Sequence, residues 1–229
     1  MPQCVPAPQL GGPCSPAHLT QFSTSFHKPP VPLHSAPRLA DYTEPFRRHA
    51  NMTDKKPVSV LFVCLGNICR STMAEGVFRS LTQHPPHPSI AKVDSCGTGA
   101  YHVGSLPDSR TLSTLNAHGI TDYTHRARKF AYPDDFHTFD YIFAMDKENL
   151  EDLEELRERR EKELKRQGKE AEASHMGKVM LFGAFAGEGR RSKQDEVVRD
   201  PYYGGNDGFE KAYVQVKRFS ENFLKHLEE

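Results

Sequence analysis

A thiol and a guanidinium stand at Cys64 and Arg70 with five residues between them, and a hydroxyl follows at Ser71. That trio suits the capture of a small oxyanion. A thiolate is a strong nucleophile. The planar fork of an arginine matches two oxygens of a tetrahedral anion. A hydroxyl beside the sulfur donates to the thiolate and eases its departure. Gly66 and Asn67, inside the interval, both tolerate left-handed backbone angles, which a loop wrapped round an anion needs.

Two elements must position these groups. Val58-Ser59-Val60-Leu61-Phe62-Val63 is almost wholly apolar and rich in β-branched and aromatic residues, the pattern of a strand buried on both faces of a parallel sheet. After Ser71, Ala74, Val77, Phe78 and Leu81 fall on one face of a helix. A tight loop from Cys64 to Arg70-Ser71 therefore joins strand to helix. At that junction unpaired backbone N–H groups converge and the helix dipole is positive, so a bound anion and the ionised form of a thiol are both favoured.

The full octet Cys64-Leu65-Gly66-Asn67-Ile68-Cys69-Arg70-Ser71 after an apolar strand resembles the phosphate loop of the low-molecular-weight protein tyrosine phosphatases, in a fungal-type form with an extra N-terminal tail. The resemblance implies an enzyme that hydrolyses phosphotyrosine in proteins, and small aryl and acyl phosphates, through a phosphocysteine. Cys64 is then the nucleophile, and Leu65 to Ser71 with Arg70 bind the phosphate. Asp200-Pro201-Tyr202-Tyr203 matches the general-acid loop of that family. Asp200 would protonate the departing phenolate and then take a proton from the attacking water. Pro201 restricts Asp200 to extended angles, and Tyr202 and Tyr203 would form an aromatic wall of the substrate cleft. Asp94-Ser95 and Tyr101-His102-Val103-Gly104 resemble the opposite wall. Tyr101 is its aromatic side or an ordinary surface tyrosine, Ser95 braces Asn67, and His102 sits at the rim. His125, in His125-Arg126-Ala127-Arg128, resembles a residue that supports the loop through hydrogen bonds, a solvated histidine being the alternative. The resemblance also implies that Cys69 pairs reversibly with Cys64 in a disulfide, the alternative being a merely packed thiol. It implies no metal and no cofactor, phosphotyrosine-containing proteins as partners and inorganic phosphate as product; the oligomeric state is left open, with a monomer expected.

Chain order separates this pattern from the larger tyrosine phosphatases, which place the acid before the cysteine. Here the cradle comes first and the acid last. Arsenate reductase shares the cradle but passes oxidation to cysteines further on, and none follows Cys96. A phosphate-sensing or redox-signalling module with a dead site is the rival outside enzymes, yet each chemical position is filled.

The whole chain has 229 residues with 30 acidic and 30 basic, so no global field points to nucleic acid or to an anionic membrane, and no apolar run is long enough to span a bilayer. The cysteines at 4, 14, 64, 69 and 96 form neither a zinc pattern nor a disulfide framework, which fits a reducing, cytoplasmic compartment. Residues 1–54 are rich in Pro, Ser, Thr, Gln and His without apolar periodicity. They read as a disordered extension. A mitochondrial presequence and a true start at Met52 are the other readings.

The expected fold over 55–229 is a single α/β, Rossmann-like domain: a short, mostly parallel four-stranded sheet with helices on both faces, and the site at the carboxyl end of the first strand. Strands are expected at Ile90–Ser95, Phe139–Met145 and Lys178–Phe182. Pro107-Asp108 opens a helix with Leu112 and Leu115 inward and Gly119 as its cap, Asp146 caps another, and Phe209 to Leu227 closes the domain as an amphipathic helix. The charged stretch at about 150–173 reads as a helix that leaves the core and runs into solvent, or binds a partner.

Overall fold

The computed structural model describes residues 56–187, 196–202, 205 and 207–229; the expectations for residues 1–54 and for Tyr203 lie outside the described residues. The elements in chain order are β1 (Val58–Cys64), α1 (Arg70–Thr82), β2 (Ile90–Gly97), α2 (Ser109–Ala117), α3 (Asp134–Thr138), β3 (Tyr141–Ala144), α4 (Lys147–Arg166), α5 (Glu170–Ala173), β4 (Lys178–Leu181) and α6 (Gly208–Glu228). A 3₁₀ turn at Phe182–Phe185 follows β4. The strands run in the order β2-β1-β3-β4, and every pairing is parallel.

The alternation of β1 explains why helices must cover both faces. Val60, Phe62 and Cys64 point into one core, where Met73, Ala74, Val77 and Phe78 of α1 meet Val216, Phe219 and Phe223 of α6. Leu61 and Val63 point into the other, against Phe136, Phe139, Leu153 and Leu164. Each fully buried side chain of this size contributes about 1.5–3 kcal/mol. The first core is aromatic at its centre: the Phe143 ring lies 5.9 Å from Phe62 and 5.0 Å from both Phe182 and Phe223.

The charged helix departs from the expectation. It does not run out into solvent, because Leu153 and Leu164 of α4 are fully buried in the second core and Leu150 and Leu156 pack beside them. Tyr132 holds the far end through a 2.7 Å hydrogen bond to Glu163. Leucines 11 residues apart lie on one helix face (three turns), so a sparse stripe still docks the whole helix while its charged residues face water. In α2 the inward residues are Thr111 and Leu115, and Leu112 is only half-buried. Strand β2 runs on to Gly97, whereas β3 is shorter than the apolar run suggests.

Parallel pairing puts the carboxyl ends of β1 and β3 side by side. Met145 N–H donates to Val63 O (3.0 Å), and Val198 N–H donates to Met145 O (2.8 Å). The first bond sets Asp146 beside the loop after β1. The second brings the chain leading to Asp200 to the same edge.

Candidate active site

The loop after β1 closes around its own cysteine. Asn67 N–H points at Cys64 Sγ (3.3 Å), and Ser71 Oγ lies 3.1 Å from the same sulfur. Asn67 holds φ at 55° and is the one non-glycine residue with positive φ among those described. Of the two residues that tolerate left-handed angles, only Asn67 uses them; Gly66 does not, and a Cβ there would meet His102 Cδ2 at 2.9 Å. Gly97 at the end of β2 is confined in the same way from below, because a Cβ would meet Leu65 O at 2.6 Å. The close approach it permits lets Thr98 N–H reach Cys64 O (2.8 Å).

Behind the loop lies a buried polar network. Asn67 is 1% exposed. Its Nδ2 donates to Ser71 Oγ and to Ser95 Oγ, both at 2.9 Å. Its Oδ1 accepts from Arg128 N–H at 2.8 Å and faces His125 Nε2 at 2.9 Å. Ser95 Oγ donates in turn to Glu75 Oε2 (2.7 Å), which also accepts from Tyr123 OH (2.8 Å) and faces His125 Nδ1 (3.1 Å). Glu75 Oε1 meets Arg79 Nη2 at 2.7 Å. Burial pushes the Tyr123 phenol up, and Glu75 adds to the effect. Burial pulls the His125 imidazole down against the opposing pull of Glu75 and Asp94. As a neutral ring it has one N–H to give, either to Asn67 or to Glu75. Glu75, Asp94 and His125 bring possible ligand atoms within 4.8 Å of one another. The Glu75 oxygens are already engaged, however, so the cluster reads as a hydrogen-bonded support.

Arg70 opens α1 and is 5% exposed. Its guanidinium pairs with Asp146 through Nη1 and with Asp200 through Nη2, the latter at 3.3 Å. Burial works against its charge, but Cys64, Asp146 and Asp200 more than offset that and raise its pKa. Asp146 also caps α4 by accepting from Asn149 N–H (2.8 Å). Asp200 accepts from Tyr202 N–H (3.0 Å) and keeps its carboxylate partly exposed. Cys69 is buried beside Asp108, and burial first, then the Asp108 carboxylate, pushes its thiol up to about 12.

A cleft of about 170 Å³ is lined by the loop from Cys64 to Arg70, Asn67 excepted, together with Tyr101, His102, Asp200 and Tyr202. Cys64, Arg70 and Asp200 therefore share one cavity, and two of the three expected tyrosines line it. Ser95 and His125 stand behind the loop on Asn67, and His102 is on the lining rather than in the network. Three further residues join the site: Glu75, which the sequence reading does not name, and Asp146 and Arg128, which it names only as a helix cap and as a neighbour of His125. Asp146 carried a signal, an acid just past a strand that ends beside β1. Glu75, an acid amid the buried first half of α1, carried a weaker one.

Residues 59–229 match the family described as low molecular weight phosphotyrosine protein phosphatase. A protein of that name from Schizosaccharomyces pombe is 48% identical over 173 residues, covering 75% of this chain and 98% of the relative. Among solved structures, a protein tyrosine phosphatase from Entamoeba histolytica with Hepes in its active site superposes with a TM-score of 0.57 at 33% identity, over 75% of this chain and 97% of its own. A Drosophila arginine phosphatase does so with a TM-score of 0.57 at 34% identity, over 73% and 96%.

Proposed function

The chain belongs to the low molecular weight phosphotyrosine protein phosphatase family, and on that premise we propose that it hydrolyses phosphotyrosine in proteins, and small aryl and acyl phosphates, through a phosphocysteine at Cys64. One observation carries the reading: the sulfur of Cys64, the guanidinium of Arg70 and the carboxyl of Asp200 line a single cleft, with Arg70 already bridging towards Asp200.

The chemistry follows from that arrangement. A phosphoryl group entering the cradle takes the fork of Arg70 from Asp200, because its equatorial oxygens offer the better bidentate partner. The Cys64 thiolate attacks phosphorus in line. An S–P bond forms as the P–O bond to the phenol breaks, and Asp200 supplies the proton that lets the phenol leave neutral. Water then attacks phosphorus, the Asp200 carboxylate takes its proton, and phosphate departs as the thiolate returns to the hydrogen bond of Ser71. Backbone donors of the loop and Arg70 stabilise the charge that builds on the equatorial oxygens. Tyr101 and Tyr202 offer aromatic surface to a phenyl ring, and a phosphoserine is too short to span the cleft.

Oxidation has a place at the same sulfur. A Cys64 sulfenic acid formed by peroxide would condense with the Cys69 thiol to a disulfide and water, protecting the nucleophile from further oxidation.

The test is kcat/KM on matched phosphotyrosine, phosphoserine and phosphoarginine peptides, with arsenate reduction as a control. Phosphotyrosine should lead by at least about tenfold, the size of difference one well-matched pocket contact makes. Preference for phosphoarginine, or turnover of arsenate, would contradict the reading.

A further inference from the structure

The acid loop has a second attachment that the reaction does not itself require. Asp108 N–H donates to Ile68 O of the phosphate loop (2.8 Å), which ties the start of α2 to the cradle. The Asp108 carboxylate then grips Arg110 at three points: its N–H (2.9 Å), Nε (3.0 Å) and Nη2 (2.9 Å). Held so, the guanidinium lies 5.0 Å from the Tyr202 ring centroid and 4.6 Å from that of Phe209 in the first turn of α6. Its Nη1 donates to Tyr202 O (3.4 Å), and Tyr202 N–H donates to Asp200 Oδ1 (3.0 Å). A continuous path of contacts therefore runs from Ile68 through Asp108, Arg110 and Tyr202 to Asp200.

That path matters once substrate arrives. Arg70 holds Asp200 through one N–H of its fork, and a phosphoryl group claims the same fork. As the contact with Arg70 yields, the contact with Tyr202 persists, and it is anchored through Arg110 to the loop that carries the nucleophile. We propose that Arg110, gripped by Asp108, is a positioning residue that fixes the acid loop against the phosphate loop and so sets the reach of Asp200 to the leaving oxygen. The proposal rests on the reading of Asp200 as the general acid. It requires the planar fork, because a lysine can neither take Asp108 at several points nor lie flat between two rings.

The experiment is kcat/KM on aryl phosphates whose leaving phenols run from acidic to basic, for the wild type, Arg110→Gln, Arg110→Lys, Asp108→Asn and Asp200→Asn. This parameter covers the steps up to departure of the phenol, where the acid acts. Asp200→Asn should steepen the dependence on phenol basicity. Both Arg110 variants should steepen it the same way, losing about tenfold to a hundredfold on the most basic phenols, as expected when a catalytic group is misplaced by an ångström. They should lose little on the most acidic phenols and keep the wild-type inhibition constant for inorganic phosphate. Asp108→Asn, which retains the α2 cap, should do the same by less; it stands in should an Arg110 variant fail to fold. A steep Asp200→Asn beside Arg110 and Asp108 variants that are unchanged, or uniformly slower across the series, would overturn the positioning role alone. So would recovery of wild-type behaviour by Arg110→Lys. A flat response of Asp200→Asn would remove the general acid itself, and the proposal with it.

Discussion

The phosphate loop and the acid loop face the same cleft, yet they are held in different ways. The first is fixed from behind by buried groups: Asn67, Ser71, Ser95 and Glu75 are each 1% exposed or less, and each bonds to another. The second hangs from rim contacts, with the Asp200 side chain 39% exposed and Arg110 48% exposed. The difference follows from what each must do. Groups that stabilise charge developing on phosphorus work best when they need no rearrangement, and low surrounding dielectric strengthens the hydrogen bonds of a buried network. On the proposed reaction the acid must instead let substrate in, give a proton to one oxygen and take one from another, which suits a loop with exposed restraints. Changes behind the phosphate loop should therefore cost stability and activity together, whereas changes in the acid loop should cost rate alone.

The largest expected separation is at Asp200. Asp200→Asn should lower kcat/KM on a phosphotyrosine peptide by about 10²–10⁴-fold while unfolding free energy stays within about 0.5 kcal/mol of wild type. A clear loss of stability would blur the contrast. Asn67→Ala comes next, read by denaturant unfolding. It leaves the Arg128 N–H without its acceptor, takes the Asn67 donor from Ser71 and Ser95, which keep their contacts with Cys64 and Glu75, and puts alanine at a φ of 55°. Unsatisfied buried groups cost about 1–3 kcal/mol each, so a loss of about 3 kcal/mol or more is expected. Asn67→Gly should return the share due to the left-handed backbone, about 1–2 kcal/mol, and no more. Glu75→Gln should cost about 1–3 kcal/mol, because the amide keeps an acceptor for Ser95 or Tyr123 but loses the charge that faces Arg79.

The smallest effect sharpens the comparison through pH. His125 has its native pKa below the ordinary value of 6.5, so the unfolded chain binds that proton first as pH falls. The stability tied to this site is whole above about pH 6.5 and is lost as pH falls from there through the native value. Melting temperatures from neutral to acid pH should decline less steeply in His125→Gln than in wild type. Parallel slopes would show that the network does not feel the ring.

The octet from Cys64 to Ser71 was legible because strand, loop and helix are contiguous in the chain, and the parallel sheet because β1 is apolar on both faces. The Asp200-Pro201 loop could be found only through resemblance, since an Asp-Pro pair alone is a common turn. The supports were hidden by distance along the chain: Arg70 meets Asp146 across 76 residues and Asn67 meets Arg128 across 61. Those meetings depend on sheet order, which local pattern does not fix. The docking of α4 is hidden for the same reason, because the residues that bury Leu164 belong to other elements. At Gly66 the residue type is visible in the sequence but its surroundings are not: the backbone there is not left-handed, and a Cβ would meet the His102 ring.

Everything turns on where the phosphoryl group goes first. Acid quench during turnover of a phosphotyrosine peptide, followed by peptide mapping by mass spectrometry, reads that directly. A phosphoryl group should appear on the peptide bearing Cys64, bound through sulfur, and vanish in Cys64→Ser along with turnover. Full turnover with no phosphorylated cysteine, or with the phosphoryl group on another residue, would contradict the account.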